Sequence, residues 1–74
     1  MMNQRIAVEV NKLPARRVNV TLFQGDTVAR ALVEGLGEDN YDRYSILVNG
    51  QAADLNTRLN NGDIIVIAAQ VKGN

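Results

Sequence analysis

The chain has 74 residues, enough for one domain around one hydrophobic core and too few for a cleft enclosed on all sides. Eight Lys and Arg balance eight Asp and Glu, so the field that draws a protein to nucleic acid or an anionic membrane is missing. There is no cysteine and no histidine, which excludes disulfides, thiolate metal sites, iron–sulfur clusters, a cysteine nucleophile and the usual general base.

Gln4 to Asn11 alternates, with Ile6, Val8 and Val10 on one side and Arg5, Ala7 and Glu9 on the other. Period two with β-branched residues predicts a half-buried strand. Lys12-Leu13-Pro14-Ala15 interrupts it, since Pro14 cannot donate to a ladder. Alternation returns from Arg17 to Leu22, so the two strands form an antiparallel hairpin. After a turn at Phe23-Gln24-Gly25-Asp26, Thr27 is suited to cap a helix, with Asp26 favouring its positive end. Val28, Ala31, Leu32 and Leu36 share one helical face, Arg30 and Glu34 lie together on the other, and Gly37 supplies the left-handed stop.

Glu38 to Tyr44 is a polar connection, in which Tyr41 and Tyr44 are expected to close the edge of the core. Ser45-Ile46-Leu47-Val48 predicts a short strand, Asn49-Gly50 a tight hairpin turn, and Gln51-Ala52-Ala53 its return. Asp54 to Leu59 shows no regular pattern, and Asn60-Asn61-Gly62-Asp63 is a second turn. Ile64 to Ala69 is apolar on both faces, as a strand in the middle of a sheet should be. Residues 1–69 are therefore expected to form a single domain and 70–74 a flexible tail, with no repeat, linker or low-complexity stretch. No apolar run approaches the ~20 residues of a membrane span, and Met1-Met2-Asn3-Gln4-Arg5 has no signal-peptide core. The expectation is a cytoplasmic protein, bound to neither membrane nor nucleic acid, and not an enzyme acting through its own side chains.

A hairpin, a helical crossover and a two-faced last strand paired parallel to the first predict an α+β fold. Its mixed sheet has the order 2-1-5-3, with one helix packed across it. The residues from about Val18 to Asn74 resemble the ubiquitin-like β-grasp family, and within it the small sulfur carriers of thiamine and molybdopterin synthesis. The resemblance rests on Gly25-Asp26-Thr27-Val28, Leu32, Val48-Asn49-Gly50, and Leu59-Asn60-Asn61-Gly62-Asp63 leading into Ile65 and Ile67. That family ends in Gly-Gly; here the matching tail is Val71-Lys72-Gly73-Asn74, with Gly73 on the penultimate glycine and Asn74 in place of the last.

The resemblance implies a small protein modifier or sulfur carrier whose carboxyl end is activated by a ubiquitin-activating-type adenylating enzyme. ATP would be used by that enzyme and no cofactor bound by this chain. It leaves three outcomes open for Asn74: a channel that accepts it, a processing peptidase that removes it, or loss of conjugation with binding kept. With Lys12 and Lys72 as the two lysines, single conjugation, through a conjugating enzyme if one is used, is more natural than lysine-linked chains.

Alternation places Ile6, Val8, Val10, Val18, Val20, Ile46, Val48, Ile65 and Ile67 toward the helix. Leu47, Ile64 and Val66, with Ala7, then face away from it. Burying one aliphatic side chain is worth roughly 1.5–3 kcal/mol, so three left exposed suggest a partner that covers them. The alternative function is accordingly a protein–protein interaction module that docks through Leu47, Ile64 and Val66 without conjugation. Arg5, Arg16 and Arg17 are read as a small solvated basic cluster near the first hairpin.

Overall fold

The structure is a computed structural model that describes residues 4–37 and 44–69. β1 (Arg5–Lys12) and β2 (Arg16–Phe23) form the expected hairpin, with Ile6 opposite Leu22, Val8 opposite Val20 and Val10 opposite Val18. After α1 (Val28–Leu36) come β3 (Tyr44–Val48), the two-residue β4 (Gln51–Ala52) and β5 (Ile64–Ala69). β5 lies parallel to β1 and antiparallel to β3, so the sheet order is β2-β1-β5-β3-β4. The expected order 2-1-5-3 is present, and β4 extends it at the outer edge of β3. The class is α+β, a five-stranded mixed sheet with one helix.

Register explains why the core lies where it does. Val18, Val10, Ile65 and Val48 form one row across four strands. The middle pair, Val10 and Ile65, is fully buried, whereas the row ends Val18 and Val48 are half-buried, less than their inward direction predicted. Val18 has no strand beyond it, and the neighbour beyond Val48 is the exposed, polar Gln51 of β4. The other inward-facing residues are buried, joined by Leu22 and by Val28, Ala31, Leu32 and Leu36 of the helix. Tyr44 packs against this core; Tyr41 lies outside the described residues.

The helix begins and ends as its caps dictate. Thr27 holds an extended conformation, and Gly37 closes the last turn with φ 74° while its N–H donates to the Val33 carbonyl. Arg30 and Glu34 meet at 3.1 Å on the solvent side. The first N–H groups of any helix lack partners within it. Here Asp54 to Leu59, which had no pattern in the sequence, supplies most of them. Val28 N–H donates to the Thr57 carbonyl at 2.9 Å and Ala29 N–H to the Leu55 carbonyl at 3.0 Å. Leu59 returns the tie by donating to the Asp26 carbonyl at 2.9 Å, and its own side chain is buried. Arg30 N–H is left to the Thr27 hydroxyl, at a long 3.5 Å.

Candidate functional site

Two features carry functional expectations: the sheet face turned away from the helix, and the end of β5. On the open face, Leu47 and Val66 are direct cross-strand partners, and Ile64 lies two residues back on the same side of β5. Leu47 is 38% and Ile64 44% exposed, and Val66 is half-buried between its neighbours on β1 and β3. Ala52, opposite Leu47 on β4, carries the apolar surface one strand further. Toward β1 the surface turns polar, because Glu9 stands beside Ile64 and Asn11 beside Val66. The three predicted patch residues are thus adjacent, on a face that is apolar over β5, Leu47 and Ala52, carries the polar Ser45 beside Ala68, and turns polar at Glu9 and Asn11 of β1. Ala7 is exposed, as expected.

At the other feature, β5 runs between β1 and β3 to Ala69, which pairs with Tyr44. Leu13 N–H donates to the Ile67 carbonyl at 2.9 Å, so the first hairpin's loop flanks the same end of β5. Lys12 Nζ lies over the Tyr44 ring, 5.5 Å from its centroid. Val71, Lys72, Gly73 and Asn74, the expected activation tail, lie outside the described residues.

The expected basic cluster does not form as a trio. Arg16 and Arg17 stand opposite Lys12 and Asn11 at the loop end of the hairpin, whereas Arg5 pairs with Phe23 at the far end. An antiparallel hairpin separates residues that begin its first strand from those that begin its second. The hairpin loop region, residues 11–17, is an open surface depression and not an enclosed site. Among the described residues no three metal-ligating side chains gather, and no helix is long and apolar enough to cross a membrane.

The sequence reading missed a network of polar side chains where β5 begins. The Asp63 carboxylate accepts from Asn60 N–H through one oxygen and from Asn49 Nδ2 through the other, both at 2.8 Å. Asn49 Oδ1 accepts from Ile64 N–H at 3.0 Å, and Asn61 Oδ1 from Ala7 N–H at 2.8 Å. The one available signal was the density of Asn and Asp in two turns, which announces local side-chain-to-backbone bonds but not their partners.

The class of protein is therefore a small α+β domain with a two-faced central strand and, among the described residues, an exposed apolar stretch on one sheet face. No protein-family model matches the chain, and no curated protein matches it.

Proposed function

We propose that this chain is a ubiquitin-like β-grasp protein. On this reading a ubiquitin-activating-type enzyme adenylates the carboxyl end of the segment Val71-Lys72-Gly73-Asn74, as in a small modifier or sulfur carrier. The observation that supports it is the position of β5: the strand that precedes this segment in sequence, ending at Ala69, lies between β1 and β3 in the sheet. A strand held on both sides stays in the sheet while the residues after it are drawn into a partner's channel. Gly73 suits such a channel, because a residue without a Cβ lets the carbonyl approach ATP closely. Incubating forms ending at Asn74 and at Gly73 with the cognate activating enzyme and ATP should yield an adenylate or thioester, read by intact mass. Reaction of neither form refutes the proposal.

The uncovered face favours a second reading, an interaction module whose tail is inert. Leu47 and Val66 touch across β3 and β5 with Ile64 beside them, and an apolar surface of this kind gains most when a partner excludes water from it. Val66→Asp should then abolish partner binding while removal of Gly73 and Asn74 leaves it intact. The reverse pattern rejects this reading.

A further inference from the structure

The sequence contains Asn-Gly twice in the described turns, Asn49-Gly50 and Asn61-Gly62. Asn-Gly is prone to self-modification, because glycine leaves its backbone nitrogen unhindered beside the asparagine carboxamide. The two sites are held differently. Gly62 N–H donates to the Ala7 carbonyl at 2.8 Å, and Asn61 Oδ1 accepts from Ala7 N–H at 2.8 Å. Nucleophile and electrophile are both fixed to β1. At the other site the Asn49 carboxamide is held by Asp63 and Ile64, but Gly50 is exposed and its N–H has no partner among the described residues. An amide must lose its proton before it attacks, and a hydrogen-bonded N–H is protected from solvent base whereas a free one is not.

We propose that Asn49-Gly50 is the deamidation site of the folded protein, and that Asp63 restrains it by holding the Asn49 carboxamide. In the reaction, the deprotonated Gly50 nitrogen attacks Asn49 Cγ and forms the N–Cγ bond. The Cγ–Nδ2 bond breaks, and ammonia leaves with a proton from solvent. Water then opens the cyclic imide at either carbonyl, giving aspartate or isoaspartate.

The product acts on the fold directly. In the aspartate product a carboxylate oxygen takes the place of the Nδ2 that now donates to Asp63 Oδ1 at 2.8 Å, so a hydrogen bond becomes repulsion between like charges. Isoaspartate also lengthens the backbone inside a two-residue turn whose φ values, 53° at Asn49 and 83° at Gly50, are set by the hairpin. Either product loosens the attachment of the β3–β4 hairpin to the start of β5.

The protein is aged in mildly alkaline buffer, folded and in urea, and peptides are mapped by mass for the gain of water less ammonia. In the folded protein Asn49 should convert several-fold faster than Asn61, and this preference should shrink in urea, where neither turn exists. Asp63→Ala should raise conversion at Asn49 more than at Asn61. Leu36→Ala, which weakens the core at the opposite end of the helix, should raise both together. An Asn49-to-Asn61 ratio that is the same folded and unfolded, or an Asp63→Ala variant with no selective rise at Asn49, overturns the proposal.

Discussion

Gly35→Ala tests how the helix sits on the sheet. On helix propensity alone this exchange should stabilise the protein by up to about 1 kcal/mol. A Cβ at position 35, however, would lie 2.6 Å from Val20 Cγ2 and 3.1 Å from Val18 Cγ2. Carbon pairs prefer roughly 3.5–4.0 Å, so the closer contact falls about 1 Å short. Val18 is half-buried and can give way; Val20 is buried and β-branched, and turning it drives its other methyl group into the core. The helix must therefore lift from β2, which thins the packing of Leu32 and Leu36. Overpacking of this kind costs about 1–3 kcal/mol; a contact as short as 2.6 Å belongs to the upper part, about 2–3, so net of propensity we expect a loss of about 1–2 kcal/mol. In a chain of this size that lowers Tm by roughly 5–15 °C in a thermal melt followed by circular dichroism. Combining Gly35→Ala with Val20→Ala should remove most of the penalty, with a coupling of about 1 kcal/mol or more between the two sites. A Gly35→Ala protein with unchanged or raised Tm refutes the close approach of helix to β2.

Leu59→Ala should cost about 2–5 kcal/mol in urea denaturation, like any fully buried leucine, although its segment has no regular structure. Hydrogen exchange should quicken in the first turn of α1 as well, because the segment that Leu59 anchors supplies that turn with the Thr57 and Leu55 carbonyls. Thr27→Ala should cost only about 0.5 kcal/mol, the low end for a helix cap, because its bond to Arg30 N–H is 3.5 Å long. Carbonyls of Thr57 and Leu55 hold the other two N–H groups, and a loss above about 1.5 kcal/mol in the same denaturation would contradict that division.

Much of the architecture was legible because period and turn chemistry agreed. The span from Ile64 to Ala69, apolar on both faces, forms β5 within those bounds, and its centrality follows from having no polar side. Asn49-Gly50 has positive φ at both positions, as the hairpin turn demands. What the sequence left hidden depends on partners distant along the chain. Asp54 to Leu59 looked irregular because its regularity is borrowed: its carbonyls point at the helix start, and only a tertiary contact gives that arrangement a purpose. The grouping of Arg5 with Arg16 and Arg17 followed nearness to the hairpin, while register put Arg5 at the other end. The patch of Leu47, Ile64 and Val66 was legible, because alternation fixes which face a strand residue takes and the sheet order makes β3 and β5 neighbours.

The polar network and β5 divide the molecule in a way that bears on how it would be used. Asp26, Asn49, Asn60, Asn61 and Asp63 tie the turns to one another where β1, α1 and β5 begin. β5 is thus anchored at its start by side chains and along its length by two neighbouring strands. A pull applied beyond Ala69 would load β5 as a whole against both ladders, in shear, and not peel it from an edge one bond at a time. Under the proposed function, this would make the central strand a suitable base for a segment that a partner grips. It also makes the Asn49–Asp63 contact the weak point of the anchored end, since a single deamidation there turns an attractive contact repulsive while the core stays intact.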